Sequence, residues 1–322
     1  MKKPPFVLAI AATTLALTLT ACGTTEDGDN SPADSGERIA LTDSRGKKIE
    51  LDGPATKVVA VEWSPAEQLV TLGVMPIGVA DVKGFKVWDK SVELDDSVKD
   101  VGTRGEPSSD SIAALNPDLI IAANGLPENV ISQLETRAPV LVVAAADAKD
   151  SLGTMRADFE LIAKAVGMED KAKVVLANLD EELADAKTEI AEAKLDTTRF
   201  ALADAYVNGA NVEIRMFGKG SLLSDVAGEL GLENVWDGKI DEQYGLGQTD
   251  IEGLTKLPDV QFFYSASDGD PFTDNLASNP IWKDLAFVKA DHVHKLPDGT
   301  WTFGGPAAIE YFVDAIVGTL TK

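Results

Sequence analysis

Histidines, cysteines and activated serines carry most metal binding and nucleophilic catalysis, and this chain is poor in all three. It has two histidines in 322 residues. His292 and His294 stand two apart on one face of an expected strand, with no clear third ligand nearby. A protein-built site for a bare transition metal would want several histidine or carboxylate ligands, so both read as strand residues. Cys22 is the only cysteine, which excludes an intramolecular disulfide and a cysteine-based zinc site. No Gly-x-Ser-x-Gly elbow occurs, and neither histidine has the context of a catalytic triad. Gly218-Lys219-Gly220-Ser221 opens an expected helix but lacks the spacing of a phosphate-binding Walker loop. A formal charge of −24 repels nucleic acid and anionic membrane surfaces. The residue types point to a binding protein with no resident metal or cofactor, not to an enzyme.

The elements that would position a ligand read as α/β. Val58 to Val61 is a continuous apolar run, as expected of a strand buried on both faces. A helix follows, with Ser64 as its cap, Pro65 as its first residue and Gly73 as its stop. Residues 76–80 form the next strand, 110–115 a short helix, 118–123 a strand, 128–138 a helix and 140–144 a strand. Strands alternating with helices imply a parallel sheet. Leu152, Met155, Phe159, Ile162 and Val166 then recur at helical spacing as one apolar stripe. A second helix runs from Glu169 to about Lys194, and a new α/β series begins at Phe200: strand 200–207, helices 221–231 and 250–257, strands 260–265 and 293–296, and a closing helix 305–320. Asp110-x-Ile112-x-x-Leu115 before Pro117-Asp118 is echoed by Glu252-x-Leu254-x-x-Leu257 before Pro258-Asp259. The two series thus share a local pattern, as a pseudo-repeat would.

The N-terminus carries an address. Lys2 and Lys3 precede an uncharged stretch from Phe6 to Ala21, too short to span a bilayer but suited to a secretory signal. It ends in Leu19-Thr20-Ala21-Cys22-Gly23, which resembles the lipobox of bacterial lipoproteins. That resemblance implies cleavage after residue 21 and a lipid on Cys22, anchoring the chain to the extracytoplasmic face of the cell membrane. Residues 22–37 are acidic and almost devoid of apolar side chains, the composition of a disordered tether.

The segment Val58 to Ile121 carries a second resemblance. A strand runs into Glu62-Trp63, Leu72-Gly73-Val74-Met75-Pro76 makes a turn, and Val101-Gly102-Thr103-Arg104-Gly105-Glu106-Pro107 precedes a short helix ending in Pro117-Asp118-Leu119. With the later stretches 217–236, 279–297 and the terminal helix, this order resembles the substrate-binding lipoproteins of iron–siderophore ABC importers, especially the ferric hydroxamate and ferric citrate binders. The resemblance implies an α/β fold of two lobes joined by a single long rigid helix, the helical-backbone periplasmic binding protein fold. It places an N-terminal lobe at 38–150, the connecting helix at 151–167 and a C-terminal lobe at 168–322. It implies a monomer that captures a ferric siderophore, whose iron stays with the chelator, and hands it to ABC permease subunits. Haem or cobalamin as cargo, or an exported sensor or adhesin of the same fold, are the alternatives.

The same resemblance assigns the candidate site. Arg104 stands where this family places a ligand-binding arginine; the bland alternative is an ion pair with Glu106 or Asp110. Trp88, on an expected loop after the second strand, and Trp301 and Phe303, in the loop before the last helix, match family aromatics. Tyr244 lies in a glycine-rich loop where the family presents ligand-facing side chains, with Leu246 where hydroxamate binders carry a tryptophan. Arg215 is a second candidate cation from the C-terminal lobe. Trp63, Trp236 and Trp282 read as core or lobe-packing residues. Asp110 and Glu252 match acidic positions that would dock on the permease, or else simply favour their helix N-termini.

Overall fold

Apolar runs too continuous to face water form the centre of each half. The computed structural model describes residues 38–209 and 211–322; the signal segment, Cys22 and the tether lie outside the described residues. In the first half, a hairpin of β1 (Ile39–Thr42) and β2 (Lys48–Leu51) precedes β3 (Val58–Ala60), α1 (Trp63–Thr71), β4 (Gly78–Val79), α2 (Val82–Trp88), β5 (Lys99–Asp100), α3 (Ser109–Leu115), β6 (Leu119–Ala123), α4 (Glu128–Leu134) and β7 (Val140–Val143). A five-stranded sheet has the order β5-β4-β3-β6-β7, parallel throughout. Two helices follow, α5 (Ser151–Val166) and α6 (Glu169–Glu192).

The second half contains β8 (Arg199–Asn208), β9 (Asn211–Phe217), α7 (Leu222–Glu229), β10 (Glu233–Asn234), β11 (Leu246–Thr249), α8 (Ile251–Leu254), β12 (Gln261–Ser265), α9 (Pro280–Asp284), α10 (Ala286–Lys289), β13 (Val293–Lys295) and α11 (Pro306–Leu320). Its sheet has the order β11-β9-β8-β12-β13, with β10 beside the start of β8. The β8–β9 pair is an antiparallel hairpin with Asp204 opposite Arg215. The sequence reading treated 200–207 as a lone strand, so it missed this hairpin. The neighbouring trios β3-β6-β7 and β8-β12-β13 are both parallel, and α3 leads into β6 as α8 leads into β12. The local echo in the sequence therefore corresponds to equivalent places in the two sheets.

Strand alternation sorts side chains into separate cores. On the outer face of the first sheet, Val59, Ile120, Ala122, Val140 and Val142 pack together. On the outer face of the second, Ala201, Ala203, Phe262 and Tyr264 do so. The inner faces of both sheets share a third core: Val58, Ile121 and Leu141 from one, Phe200, Leu202 and Phe263 from the other, with Met155, Phe159 and Ile162 of α5 and Ile309 and Phe312 of α11 between them. The expected stripe is the buried face of α5, with Leu152 at its half-buried edge. At 1.5 Å per residue α5 is about 24 Å long. Asp150 caps its start by accepting from Gly153 N, and Gly167 ends it at φ 69°. The helix packs on β1 and α1 of the first half and α7 of the second. The return helix α11 packs on α1, α6 and α7, so the second half is also tied back to the first.

Two sequence-based boundaries move. Helix α1 is capped by Glu62, whose side chain accepts from Trp63 N, and not by Ser64, which lies inside the helix and is buried. Trp88 is not on a loop. It closes α2, which Asp81 caps from a left-handed conformation. Burial of Phe85 turns this short helix onto the core, and Trp88 packs half-buried against it.

Candidate functional site

Between the two halves lies a cavity of about 210 Å³. The first half contributes Glu62 and Ser64 at the start of α1, Arg104 from the turn after β5, and Ala145 after β7. The second contributes Arg215 on β9, Tyr244 and Leu246 around the start of β11, and Trp301 and Phe303 from the loop before α11. An adjoining compartment of about 380 Å³ shares Glu62, Arg104 and Tyr244 and continues along residues 123–127.

The loop geometry explains these placements. Gly102 has φ 102°, and a Cβ there would lie 2.8 Å from Ser108 N. Only glycine suits this turn, which holds Arg104 out beside α1. Asp241 gathers the Tyr244 loop by accepting from Tyr244 N at 2.6 Å and Leu246 N at 2.9 Å. The loop carrying Trp301 and Phe303 is pinned from both sides. Gly299 N donates to Ser267 Oγ at 2.9 Å, and Lys90 N donates to Gly299 O at 3.0 Å. At its far end Gly305 N donates to Glu67 Oε2 at 2.6 Å, and Ala307 N to Glu67 Oε1 at 3.0 Å. Glu67 belongs to α1, so a fully buried carboxylate of the first half caps the helix that follows this loop. Burial, then the nearby Asp89, pushes Glu67 up to about 8, against the pull of its hydrogen bonds.

Each half sets one guanidinium on aromatic rings. Arg104 Cζ lies 4.2 Å from the Trp63 ring centroid and 5.3 Å from that of Trp301. Arg215 Cζ lies 5.4 Å from Phe303 and 5.7 Å from Phe217. The rings form one continuous edge-on wall: Trp63 to Trp301 at 5.0 Å, Trp301 to Phe303 at 5.2 Å, Phe303 to Tyr244 at 5.6 Å. Such contacts add cation–π attraction to apolar burial. Each arginine also has a carboxylate. Arg104 Nε stands 2.7 Å from Glu62 Oε1 without the alignment of a hydrogen bond. Arg215 forks onto Asp204, Nε to Oδ1 at 3.0 Å and Nη2 to Oδ2. Burial raises the pKa of Asp204, and Arg215 opposes that rise. Burial also raises the Tyr244 hydroxyl, with a further push from Glu62.

Of the candidates, the structure brings Arg104, Arg215, Tyr244, Trp301 and Phe303 to one cavity and leaves Trp88 outside it. Trp301 is 6% exposed, so it forms a wall more than a reaching contact. Arg104 pairs with Glu62, and neither Glu106 nor Asp110 is its partner; Asp110 instead lies 3.3 Å from Arg137 Nη2. Trp63, read as core, is buried but also floors the site beneath Arg104. The sequence reading missed Glu62, Ser64, Ala145, Asp204 and Glu67. It also missed Asp158, a buried α5 carboxylate that accepts from Ala144 N and Ala145 N and fixes Ala145 at φ 67°.

Asp110 and Glu252 are each the second residue of a short helix, two places after the caps Ser108 and Asp250. Both are exposed. His292 Nδ1 pairs with Asp259 at 2.9 Å and His294 Nε2 with Gln261 Oε1 at 2.6 Å. Among the described residues no group of three or more histidine, cysteine or acidic side chains could hold a metal. A wider groove of about 660 Å³ by the starts of α5 and α7 mixes Lys149, Arg156 and Lys219 with acids and has no aromatic lining. Leu152 and Leu232 give it some apolar lining but no ring for a ligand body to lie on.

The sequence profile described as periplasmic binding protein matches residues 58–300. The iron(3+)-hydroxamate-binding protein FhuD of Escherichia coli is 26% identical over 80% of this chain and 84% of its own length. The Fe(3+)-citrate-binding protein YfmC of Bacillus subtilis is 29% identical over 89% of this chain and 87% of its own. Among solved structures, the Fe3+–Desferal-bound siderophore-binding protein FhuD from Vibrio cholerae superposes with a TM-score of 0.71 at 24% identity, covering 83% of this chain and 98% of that one. That likeness fixes the fold.

Proposed function

The chain belongs to the periplasmic binding protein family, and from that premise we propose that it captures a ferric siderophore outside the cytoplasmic membrane and delivers it to an ABC importer. The observation that carries this reading is the pair of guanidiniums, one from each half, set on a continuous aromatic wall at a single cavity. A coordinatively saturated ferric chelate presents oxygens and apolar arms, which suit guanidinium donors and aromatic faces. The protein need not ligate iron: among the described residues no histidine or cysteine lines the cavity, and its lining carboxylate, Glu62, is engaged by Arg104. The iron is cargo held by its chelator.

On this reading a lipid on Cys22 anchors the protein, with the acidic segment 22–37 as a tether, and the chain works as a monomer. Asp110 and Glu252 meet cationic partners on two permease subunits; their matched positions in the two halves support that role. Visible absorbance of the purified protein, after incubation with ferric siderophores, haem and cobalamin and removal of free ligand, tests the proposal. An iron-chelate band is expected. Retention of haem or cobalamin alone replaces the cargo, and a colourless protein under all conditions removes the transport reading.

A further inference from the structure

We infer that the chelate held here is uncharged or cationic overall, of the ferric trihydroxamate class, and not a polyanionic tris-catecholate or citrate complex. This refines the siderophore reading and rests on it. The argument is one of charge balance. Two cations line the joined compartments, Arg104 and Arg215. Each stands against a carboxylate, Glu62 at 2.7 Å and Asp204 in a two-pronged pair. The remaining lining residues carry no charge: Ser64, Tyr244, Leu246 and the aromatics in one compartment, residues 123–127 in the other. Asp204 is buried and not itself a lining residue, but with it counted the described residues of the site balance two cations with two carboxylates.

A ligand with several negative charges loses its hydration on entering and needs cations that are not already compensated. Here it would meet two half-committed guanidiniums and the repulsion of the carboxylates that hold them. It would also approach a chain of formal charge −24, whose field slows anions and draws cations. The three hydroxamates of a trihydroxamate each give up one proton, which cancels the charge of Fe3+. Three catecholates give up six protons and leave three negative charges. Trihydroxamate oxygens can still accept from the exposed edges of the guanidiniums, and the methylene spacers can lie on Trp301, Phe303 and Leu246.

The experiment is a tryptophan-quenching titration of the full protein at low and moderate salt. The probes are the ferric complexes of desferrioxamine B (one protonated amine), deferriferrichrome (neutral), enterobactin (tris-catecholate) and citrate. The trihydroxamates should bind at least about 100-fold more tightly than the tris-catecholate at low salt, and the gap should narrow as salt rises. Glu62→Gln, which keeps a carbonyl for the α1 cap, should strengthen tris-catecholate binding by about tenfold while moving the neutral complex much less. Equal or tighter binding of the tris-catecholate by the unaltered protein overturns the inference while leaving the siderophore reading intact. Failure of every ferric chelate to bind overturns both.

Discussion

Titrating stability against pH in the protein and in its Glu67→Gln variant probes the joint that holds the cavity loop. Glu67 is fully buried on α1 and takes the first backbone N–H groups of α11. Burial, then Asp89, raises it from 4.5 to about 8. A carboxyl that is protonated at neutral pH must donate its proton. Thr71 Oγ1, 3.0 Å from Glu67 Oε1 and also 3.0 Å from Glu67 O, can accept it while donating to the carbonyl. Since the folded state holds this proton more tightly than the unfolded chain, the stabilisation is fully present below about pH 4.5. It is lost as pH rises through about 8. The gap between the two values caps the effect at about 5 kcal/mol. Asp89, raised to about 6 by burial, and Glu182, raised to about 7 by burial and the nearby Glu310 and Asp314, add losses of the same sign, so the part of the slope that the glutamine variant lacks belongs to Glu67. The glutamine variant turns an NH2 toward one backbone donor. It should therefore be weaker by about 1–3 kcal/mol where Glu67 is protonated, with a flatter profile between about pH 6.5 and 9. Urea unfolding followed by tryptophan fluorescence at a series of pH values measures both. Parallel profiles for the two proteins would show that Glu67 does not titrate in this window.

Arg104→Ala should weaken binding of the cognate ferric chelate by about 1.5–3 kcal/mol, the worth of a charge-assisted hydrogen bond, and an unchanged affinity in a quenching titration removes Arg104 from the site. Gly220 has φ 91°, and a Cβ there would lie 2.2 Å from Ala148 O across the seam between the halves; Gly220→Ala should cost at least about 2 kcal/mol of unfolding free energy, and a loss below about 0.5 kcal/mol would mean the seam gives way freely. Asp110→Lys with Glu252→Lys should abolish iron uptake in cells while chelate affinity in solution stays the same; normal uptake at matched expression leaves both as helix-end acids. Cys22→Ala should release the protein from membranes, and firm retention shifts the anchor elsewhere.

What the sequence disclosed follows from how much information each element carries. Strands β3, β6 and β7 are legible because both their faces are buried, so nearly every residue is apolar. The stripe of α5 is legible because sixteen residues repeat it. The two-residue β4 falls within the strand expected at 76–80, whereas β5, two exposed charged residues, leaves no pattern to read. The β8–β9 hairpin was readable, since Asn208-Gly209 between an apolar run and the alternating Val212, Ile214 and Met216 is a strong turn signal, and with it would have come the Asp204–Arg215 pair. Trp88 reads as a loop residue in the sequence, but its seven-residue helix is set by an αL cap at Asp81 that composition does not reveal. Glu67 left a trace: it falls four residues after Trp63 on the buried stripe of α1, where a carboxylate needs a partner, but the partner is 238 residues away.

The shared inner core bears on how such a cavity can work. Opening the halves as a hinge would separate side chains that now belong to both. Leu69 of α1 and Phe159 of α5 pack in the same core as Ile309 and Phe312 of α11, all essentially inaccessible. Fully exposing one such side chain costs about 1.5–3 kcal/mol, so parting even four would cost more than the ~5.5 kcal/mol of differential affinity needed to invert a 1:99 population. The Glu67 joint and the Gly299–Lys90 bond add to that cost at the cavity itself. A ligand therefore meets walls that are already in place, and closure is confined to side chains and loop tips. Little free energy goes into ordering the site. Selection among chelates then falls on what a fixed site can distinguish: the fit to a wall of four rings, and the charge that two arginines already matched by carboxylates will accept.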